Sequence, residues 1–329
     1  MPVLSVRHLK KYFPVTQGVL LRQKGWVYAV DDVSFDVNQG ETLGIVGESG
    51  CGKTTLGRCI IGLYTPTHGQ VLVHGNDVSS LDRAQKKALS LKIQMIFQDP
   101  FESLDSRQTI EQILKEKYVI HKKAGRGIKE EMTGLLGRVG LAEDSFAKFP
   151  HEFSGGQRQR IGIARAISLN PDIIVCDEPV SALDVSVQSK ILNLLLELQQ
   201  ELGLTYVFIS HDLSVVKHIS DRIVVMYLGK VVEMGPASEV YGAPRHPYTL
   251  ALLSAVPIPD PEETRERITL QGEIPSVEHP PAGCRFHTRC RYVQKICKTT
   301  EPQLADCGTG TGHVNACHFD GRLREAGGA

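Results

Sequence analysis

Apolar residues gather along this chain in short unbroken runs that stop at polar or glycine-rich clusters, as strands of a parallel sheet do. Thr42-Leu43-Gly44-Ile45-Val46, Ile173-Ile174-Val175, Tyr206-Val207-Phe208-Ile209 and Ile223-Val224-Val225-Met226 are such runs. Between the second and third, residues 191–202 read as a helix, the crossover that parallel strands need. Residues 3–6 and 30–37 predict strands of an edge sheet, since Asp31, Ser34 and Asp36 alternate with Val33, Phe35 and Val37. Further strands are expected at 71–73 and 93–97, while 14–27 reads as a loop with a Val-Leu-Leu patch and the only tryptophan, Trp26. From about residue 99 to 152 the strand signal gives way to polar, helix-like sequence, including 109–116 and 129–139. Past Glu239 proline and glycine become frequent and periodicity fails, so a separate appendage is expected there. No internal repeat is visible. The sum is an α/β fold.

The run at 42–46 opens into Gly47-Glu48-Ser49-Gly50-Cys51-Gly52-Lys53-Thr54, and Thr55-Leu56-Gly57-Arg58-Cys59-Ile60-Ile61 then reads as a helix. Strand, glycine-rich loop and helix in that order make a phosphate-binding P-loop. Glycines 47, 50 and 52 let backbone N–H groups turn inward around phosphate oxygens, helped by the positive end of the helix. Lys53 is placed for the β- and γ-phosphates and the Thr54 hydroxyl for Mg²⁺.

Other strand ends carry matching chemistry. The run at 173–175 continues into Cys176-Asp177-Glu178, and a buried strand seldom ends in paired acids without a cation or a proton to handle. Asp177 suits Mg²⁺ held through water; Glu178 suits the polarising of an attacking water. Pro179 then sharpens the turn into Ser181-Ala182-Leu183-Asp184. His211 follows the run at 206–209, at the sheet edge where doubly wound folds bind ligands, within reach of the γ-phosphate and of Glu178. Gln98 ends 93–97 at that same edge, near Mg²⁺ or the attacking water, and opens the helical insertion. Ser154-Gly155-Gly156-Gln157, before an amphipathic stretch at 161–169, is a second anion cradle. One loop already serves the phosphates, so this second one suggests service to a neighbour's nucleotide. Tyr12 and Phe13 are adjacent aromatics suited to stacking on adenine; Tyr28 competes, and spacing favours Phe13.

Composition narrows the partners. Lys and Arg number 37 and so do Asp and Glu, so no global basic field argues for nucleic acid. No run approaches the ~18 apolar residues that span a bilayer, and the start lacks the apolar core of a signal peptide. A cytoplasmic chain is expected, reaching any membrane through a partner. Five of the eight cysteines fall between Cys284 and Cys317, so the tail has its own chemistry. Cys284, Cys290, Cys297, Cys307 and Cys317 include no Cys-x-x-Cys pair, which weakens zinc, and disulfides do not suit a reducing compartment. Four thiolates can hold a [4Fe–4S] cluster. Residues alone leave iron–sulfur, zinc and ordinary thiols open.

Taken in order, Gly47–Thr54, Gln98, Ser154–Gln157, Asp177–Glu178, Ser181–Asp184 and His211 resemble the Walker A, Q-loop, signature, Walker B, D-loop and H-loop of an ABC transporter ATPase. The likeness covers roughly residues 1–255, with Phe153 where the general signature has Leu. Within that family the chain is most similar to ATP-binding subunits of dipeptide/oligopeptide importers. The marks are Phe97-Gln98-Asp99-Pro100, Glu178-Pro179-Val180-Ser181, Arg245-His246-Pro247-Tyr248-Thr249 and Pro281-Ala282-Gly283-Cys284-Arg285-Phe286-His287-Thr288-Arg289-Cys290. The resemblance implies a RecA-like P-loop ABC core at 1–98 and 153–240 with an antiparallel β edge. It also implies a helical signalling subdomain at 99–152 and a small Cys-rich extension at 241–329.

It implies ATP and Mg²⁺ as cofactors. Nucleotide contacts would come from Gly47, Glu48, Ser49, Gly50, Cys51, Gly52, Lys53, Thr54, Thr55, Tyr12 and Phe13, and from Ser154, Gly155, Gly156, Gln157 and Asp184. Glu178, His211 and Gln98 would be catalytic, and Thr54, Gln98 and Asp177 would serve Mg²⁺. A [4Fe–4S] cluster on Cys284, Cys290, Cys297 and Cys317 is implied, with Cys307 spare. The partners implied are a second, commonly non-identical ATPase, two transmembrane permease subunits and, indirectly, an extracytoplasmic binding protein, all at the cytoplasmic face of the membrane. Peptide is the expected cargo, with nickel chelates, opines or glycosides as alternatives. A soluble ABC ATPase working on DNA or ribosomes would be expected to have a coiled-coil arm, tandem cassettes or a basic surface, whereas this sequence reads as one cassette with a neutral charge balance and no long heptad run.

Overall fold

The structure is a computed structural model that describes residues 2–18, 22–99, 104–123, 125–256 and 267–319. Pro100, the Val-Leu-Leu patch at 19–21 and parts of the 99–152 and 241–329 segments lie outside the described residues.

Two sheets carry the chain. The first is antiparallel: β1 (Leu4–Gln17) lies between β2 (Arg22–Val37) and β4 (His68–Val73), and β5 (Asn76–Asp77) flanks β4. The second has eight strands. β3 (Thr42–Val46), β6 (Ile93–Ile96), β7 (Ile173–Asp177), β8 (Thr205–Ser210) and β9 (Arg222–Tyr227) are its parallel part, ordered β9-β3-β8-β7-β6. β10 (Lys230–Pro236) then adds antiparallel to β9, and the short β11 (Ala305–Asp306) and β12 (Val314–Asn315) continue from β10.

The unbroken apolar runs follow from burial on both faces. In β7, Ile173 and Val175 face a core shared with the first sheet, while Ile174 and Cys176 face the core under the helices. Helix Lys53–Ile60 packs in the former; Ile110–Ile120, Ile128–Arg138, Gly155–Ile167 and Val185–Leu202 pack in the latter. Several helices go beyond those read from the sequence, among them Arg83–Lys92, Leu213–Ile219 and Pro247–Ser254; the first carries a reciprocal capping box of Asp82 and Gln85 at its start.

The stretch 14–27 departs from its reading as a loop. β1 and β2 run on as a long hairpin in which Phe13 pairs with Val27 and Pro14 with Trp26. Register shifts between Val6 and Leu9, Leu9 and Lys11, Lys11 and Tyr12, and Val15 and Thr16 break the two-residue alternation that marks a strand. The described residues of the tail past Glu239 are packed onto the core. Asn315 pairs with Glu233 in the large sheet, and Phe286, 2% exposed, meets Tyr227 and Tyr248 at ring separations of 5.2 and 5.4 Å. Burying one such ring stabilises by about 2–3 kcal/mol.

Candidate nucleotide site

The carboxyl ends of β3, β6, β7 and β8 lie side by side in the sheet, so the loops after them meet at one edge. There a cleft of ≈ 720 Å³ is lined by Phe13, Ser49, Gly50, Gly52, Lys53, Thr54, Thr55, Gln98, Glu178, Ser181, Ala182 and His211, with Val27, Ala29 and Val277.

The loop after β3 wraps onto the start of helix Lys53–Ile60. Its turn depends on Gly52, which stands at φ +104°, where an added Cβ would lie 2.0 Å from the Ala29 carbonyl oxygen. Lys53 is buried, and its Nζ donates to the carbonyls of Gly47 (2.6 Å) and Glu48 (3.0 Å). The ammonium and the helix N-terminus together make a positive pole for an anion.

The Thr54 hydroxyl donates to Asp177 Oδ1 at 2.9 Å. Burial pushes the Asp177 carboxyl above its ordinary range, outweighing the hydrogen bond from Thr54; a divalent cation at these oxygens would act the opposite way. Hydroxyl, carboxylate and the nearby Gln98 amide are hard oxygen donors, which fit Mg²⁺.

Glu178 follows directly. Its backbone has φ +46°, an uncommon state for a side-chain-bearing residue, fixed by its N–H donating to the Ile209 carbonyl at 2.9 Å. Oε2 of Glu178 meets His211 Nδ1 at 3.0 Å and Gln98 Nε2 at 3.3 Å, so three residues from three strand ends share one oxygen. The carboxylate is thereby aimed, and a water beside it can lose a proton to it.

Other expected residues sit elsewhere. Gly47, Glu48 and Cys51 do not line the cleft, and burial pushes the Cys51 thiol up. Phe13 lines the cleft and Tyr12 does not. The Tyr12 hydroxyl donates to Asp31 Oδ1 at 2.6 Å, and its ring meets Tyr28 edge-on at 4.7 Å. Asp184 stands at the start of helix Val185–Leu202, with no side-chain capping bond, and does not line the cleft. The Ser154–Gln157 loop is also outside this cleft. Ser154 is exposed and N-caps helix Gly155–Ile167, its Oγ accepting from Gln157 N–H at 3.3 Å.

In the tail, the Cys284 N–H donates to the Cys297 carbonyl at 2.9 Å. Burial pushes the Cys284 thiol up to about 12 and that of Cys290 to about 11. Cys307 accepts from Asn315 Nδ2 at 3.2 Å. Among the described residues no three His, Cys, Asp or Glu side chains are grouped so as to hold a metal ion. The four thiols neighbour one another without forming a closed ligand set.

Sequence reasoning missed Val277, which lines the cleft from far along the chain, and Arg289, whose guanidinium grips Glu48. Val277 has no local motif, and Arg289, although inside the 281–290 stretch, carries no local signal that joins it to Glu48.

A P-loop at the edge of a parallel sheet, facing a carboxylate tied to a Gln and a His, is the arrangement of an ATP-binding cassette. The comparisons agree. The ABC transporter family model matches residues 30–181, and that of the oligopeptide/dipeptide transporter C-terminal region matches 232–297. The chain is 54% identical over 321 residues to the oligopeptide transport ATP-binding protein AppF of Bacillus subtilis, covering 96% of this chain and 97% of that protein. It is 48% identical over 317 residues to the dipeptide transport ATP-binding protein DppF of Escherichia coli, covering 96% and 94% respectively. Among solved structures, a dimeric post-hydrolysis ATP-binding cassette bound to ADP and Pi aligns with a TM-score of 0.62 at 31% identity, covering 71% of this chain and 98% of that one. The chain belongs to the ABC transporter family, and with that family it is an ATP-hydrolysing transporter subunit.

Proposed function

We propose that this chain is the ATP-hydrolysing motor of an importer of di- and oligopeptides, working at the cytoplasmic face of a membrane. One observation carries the cargo class: the family model of the peptide-transporter C-terminal region falls on the same chain as the ABC cassette. Relatives along nearly the whole length that are named for oligopeptide and dipeptide transport support it. Among the described residues no helix is long and apolar enough to cross a membrane, so permease subunits would supply the path.

In this reading residues 1–98 and 153–240 form the nucleotide-binding core, 99–152 the helical subdomain facing the permeases, and 241–329 the extension. Lys53 and the backbone N–H groups of the P-loop that face the cleft bind the phosphates, and Phe13 stacks on adenine. Thr54, Asp177 and Gln98 hold Mg²⁺, which neutralises phosphate charge when bound. Glu178 accepts the proton of the attacking water, and His211 and Gln98 aim its carboxylate. Ser154–Gln157 and Asp184 of a partner ATPase close over the γ-phosphate.

The test is uptake of labelled di- and oligopeptides by cells whose own copy carries Glu178→Gln. Uptake lost, and restored by the wild-type chain, is expected; undiminished uptake would point to another cargo.

A finer proposal concerns the tail: Cys284, Cys290, Cys297 and Cys317 hold an iron–sulfur cluster. Support comes from the gathering of five cysteines in the tail, the backbone contact between Cys284 and Cys297 and the engagement of Cys307 by Asn315. The four ligand side chains would have to close around the cluster from the arrangement described. Anaerobically purified protein should contain iron and sulfide, both lost in a Cys284→Ser/Cys290→Ser variant. Colourless protein with stoichiometric zinc would reverse the proposal.

A further inference from the structure

Glu48 is the second residue of the P-loop, yet its side chain turns away from the cleft. Arg289 grips it in a two-pronged ion pair, Nη1 to Oε2 at 2.6 Å and Nη2 to Oε1 at 3.0 Å. The Arg289 side chain is only 6% exposed and its guanidinium lies over the Tyr227 ring, 5.9 Å from the centroid. The same Glu48 is held through its backbone. Its N–H donates to the Tyr248 hydroxyl at 2.8 Å, and its carbonyl accepts from Lys53 Nζ at 3.0 Å. One residue thus joins the tail to the phosphate-binding lysine.

A fork-to-fork guanidinium–carboxylate pair fixes both distance and plane, which a single hydrogen bond does not. It also neutralises a carboxylate in the very loop that must receive a polyanion. Without it, that negative charge would repel phosphates across a partly buried, weakly screened site. The segment around Arg289 is firmly seated: Arg285 pairs with Asp31 and donates to the Leu228 carbonyl. The segment also touches the cleft directly. Val277 lines it, and the Val277 carbonyl accepts from Tyr28 N–H at 3.0 Å.

We propose that Arg289 is a positioning residue of the ATP site: through Glu48 it holds the P-loop in its phosphate-receiving form, so the tail segment sets nucleotide affinity. This rests on the reading of the cleft as the ATP site.

The test is calorimetric titration of the full chain with MgATP, alongside KM and kcat in the assembled transporter. Arg289→Gln should weaken binding and raise KM by about tenfold while kcat at saturating ATP moves less than about twofold. Arg289→Lys, which keeps the charge and loses the fork, should fall between. The double variant Glu48→Gln/Arg289→Gln should bind better than Arg289→Gln alone, because the uncompensated carboxylate is gone; losses that simply add would mean that the two side chains do not act as a pair. Wild-type chain that fails to bind MgATP, with Lys53→Ala no different, would overturn the ATP-site reading itself. Wild-type binding with Arg289→Gln equally tight, or losses that simply add, would overturn the role of Arg289. Should Arg289→Gln fail to fold, Arg289→Lys decides alone, and wild-type affinity in it refutes the proposal.

Discussion

At Glu178 a backbone held at φ +46° and a carboxylate oxygen shared between His211 and Gln98 leave the side chain little freedom. Among the described residues its other oxygen has no such pair of partners competing for it, so a water there meets an acceptor whose direction is already set. Glu178→Gln keeps the volume, and the amide can still meet His211, while the proton acceptor is lost. ATP affinity should therefore hold within about twofold, and turnover should fall by roughly 10²-fold or more. Calorimetry and single-turnover hydrolysis separate the two. Near wild-type turnover in this variant would remove Glu178 from the role of base. Tyr12 is the reverse case. Adjacent to Phe13 in sequence, it points its hydroxyl to Asp31, and burial with that hydrogen bond pushes its phenol well above the usual range. Alternation along a strand sends neighbours to opposite faces, which is why one of the two aromatics reaches the cleft.

Strand β10 shows how an element can be hidden by its own chemistry. Glu233 lies fully buried within it, accepting from Arg245 N–H (2.7 Å), His246 N–H (2.9 Å) and His313 Nε2 (2.7 Å). A charge at a core position interrupts the apolar run, so the strand escapes a pattern search. The two-residue β11 and β12 are too short to show any period, and the β1–β2 hairpin loses its period to register shifts. β3, β7, β8 and β9 were legible because both faces are apolar. Likewise the P-loop, Glu178 and His211 were legible as local motifs, whereas Arg289 and Glu48 are 241 residues apart and no short-range signal joins them. Two histidines beside Glu233 have shifted pKa values. Burial pushes His246 down to about 4 from its ordinary 6.5. Between those values the unfolded chain takes up a proton that the folded one refuses, so stability falls as pH drops from 6.5 to 4, by up to about 3 kcal/mol. His313 is raised, mainly by its hydrogen bond to Glu233, with Glu239 adding to it. Its contribution is full below 6.5 and is lost as pH rises through the raised value. Urea midpoints across this range should fall on both sides of an optimum. His246→Asn should flatten the acid limb and His313→Gln the alkaline one; limbs unchanged by either variant would assign the titration to other groups.

On the scale of the whole molecule, the cleft is built by residues spread from Phe13 to Val277, yet the Ser154–Gln157 loop stands outside it. That loop has the features of an anion site, with an exposed capped start to a thirteen-residue helix and a glycine pair, and nothing within this chain's cleft uses it. Geometry of this kind makes sense if a second ATPase brings its own P-loop to it. Ser154→Asp tests that without harming the fold. Aspartate caps a helix as well as serine does and is favoured by the positive helix end, so Gln157 N–H keeps its acceptor. A carboxylate at the cap would, however, oppose an incoming γ-phosphate. The isolated variant should bind MgATP within about twofold of wild type, since its own cleft is untouched. In the assembled transporter, turnover should drop by about tenfold or more. Turnover equal to wild type would mean that no nucleotide is sandwiched at Ser154. Lost binding in the isolated chain would instead make the loop part of its own site, and the two-chain closure would have to be abandoned.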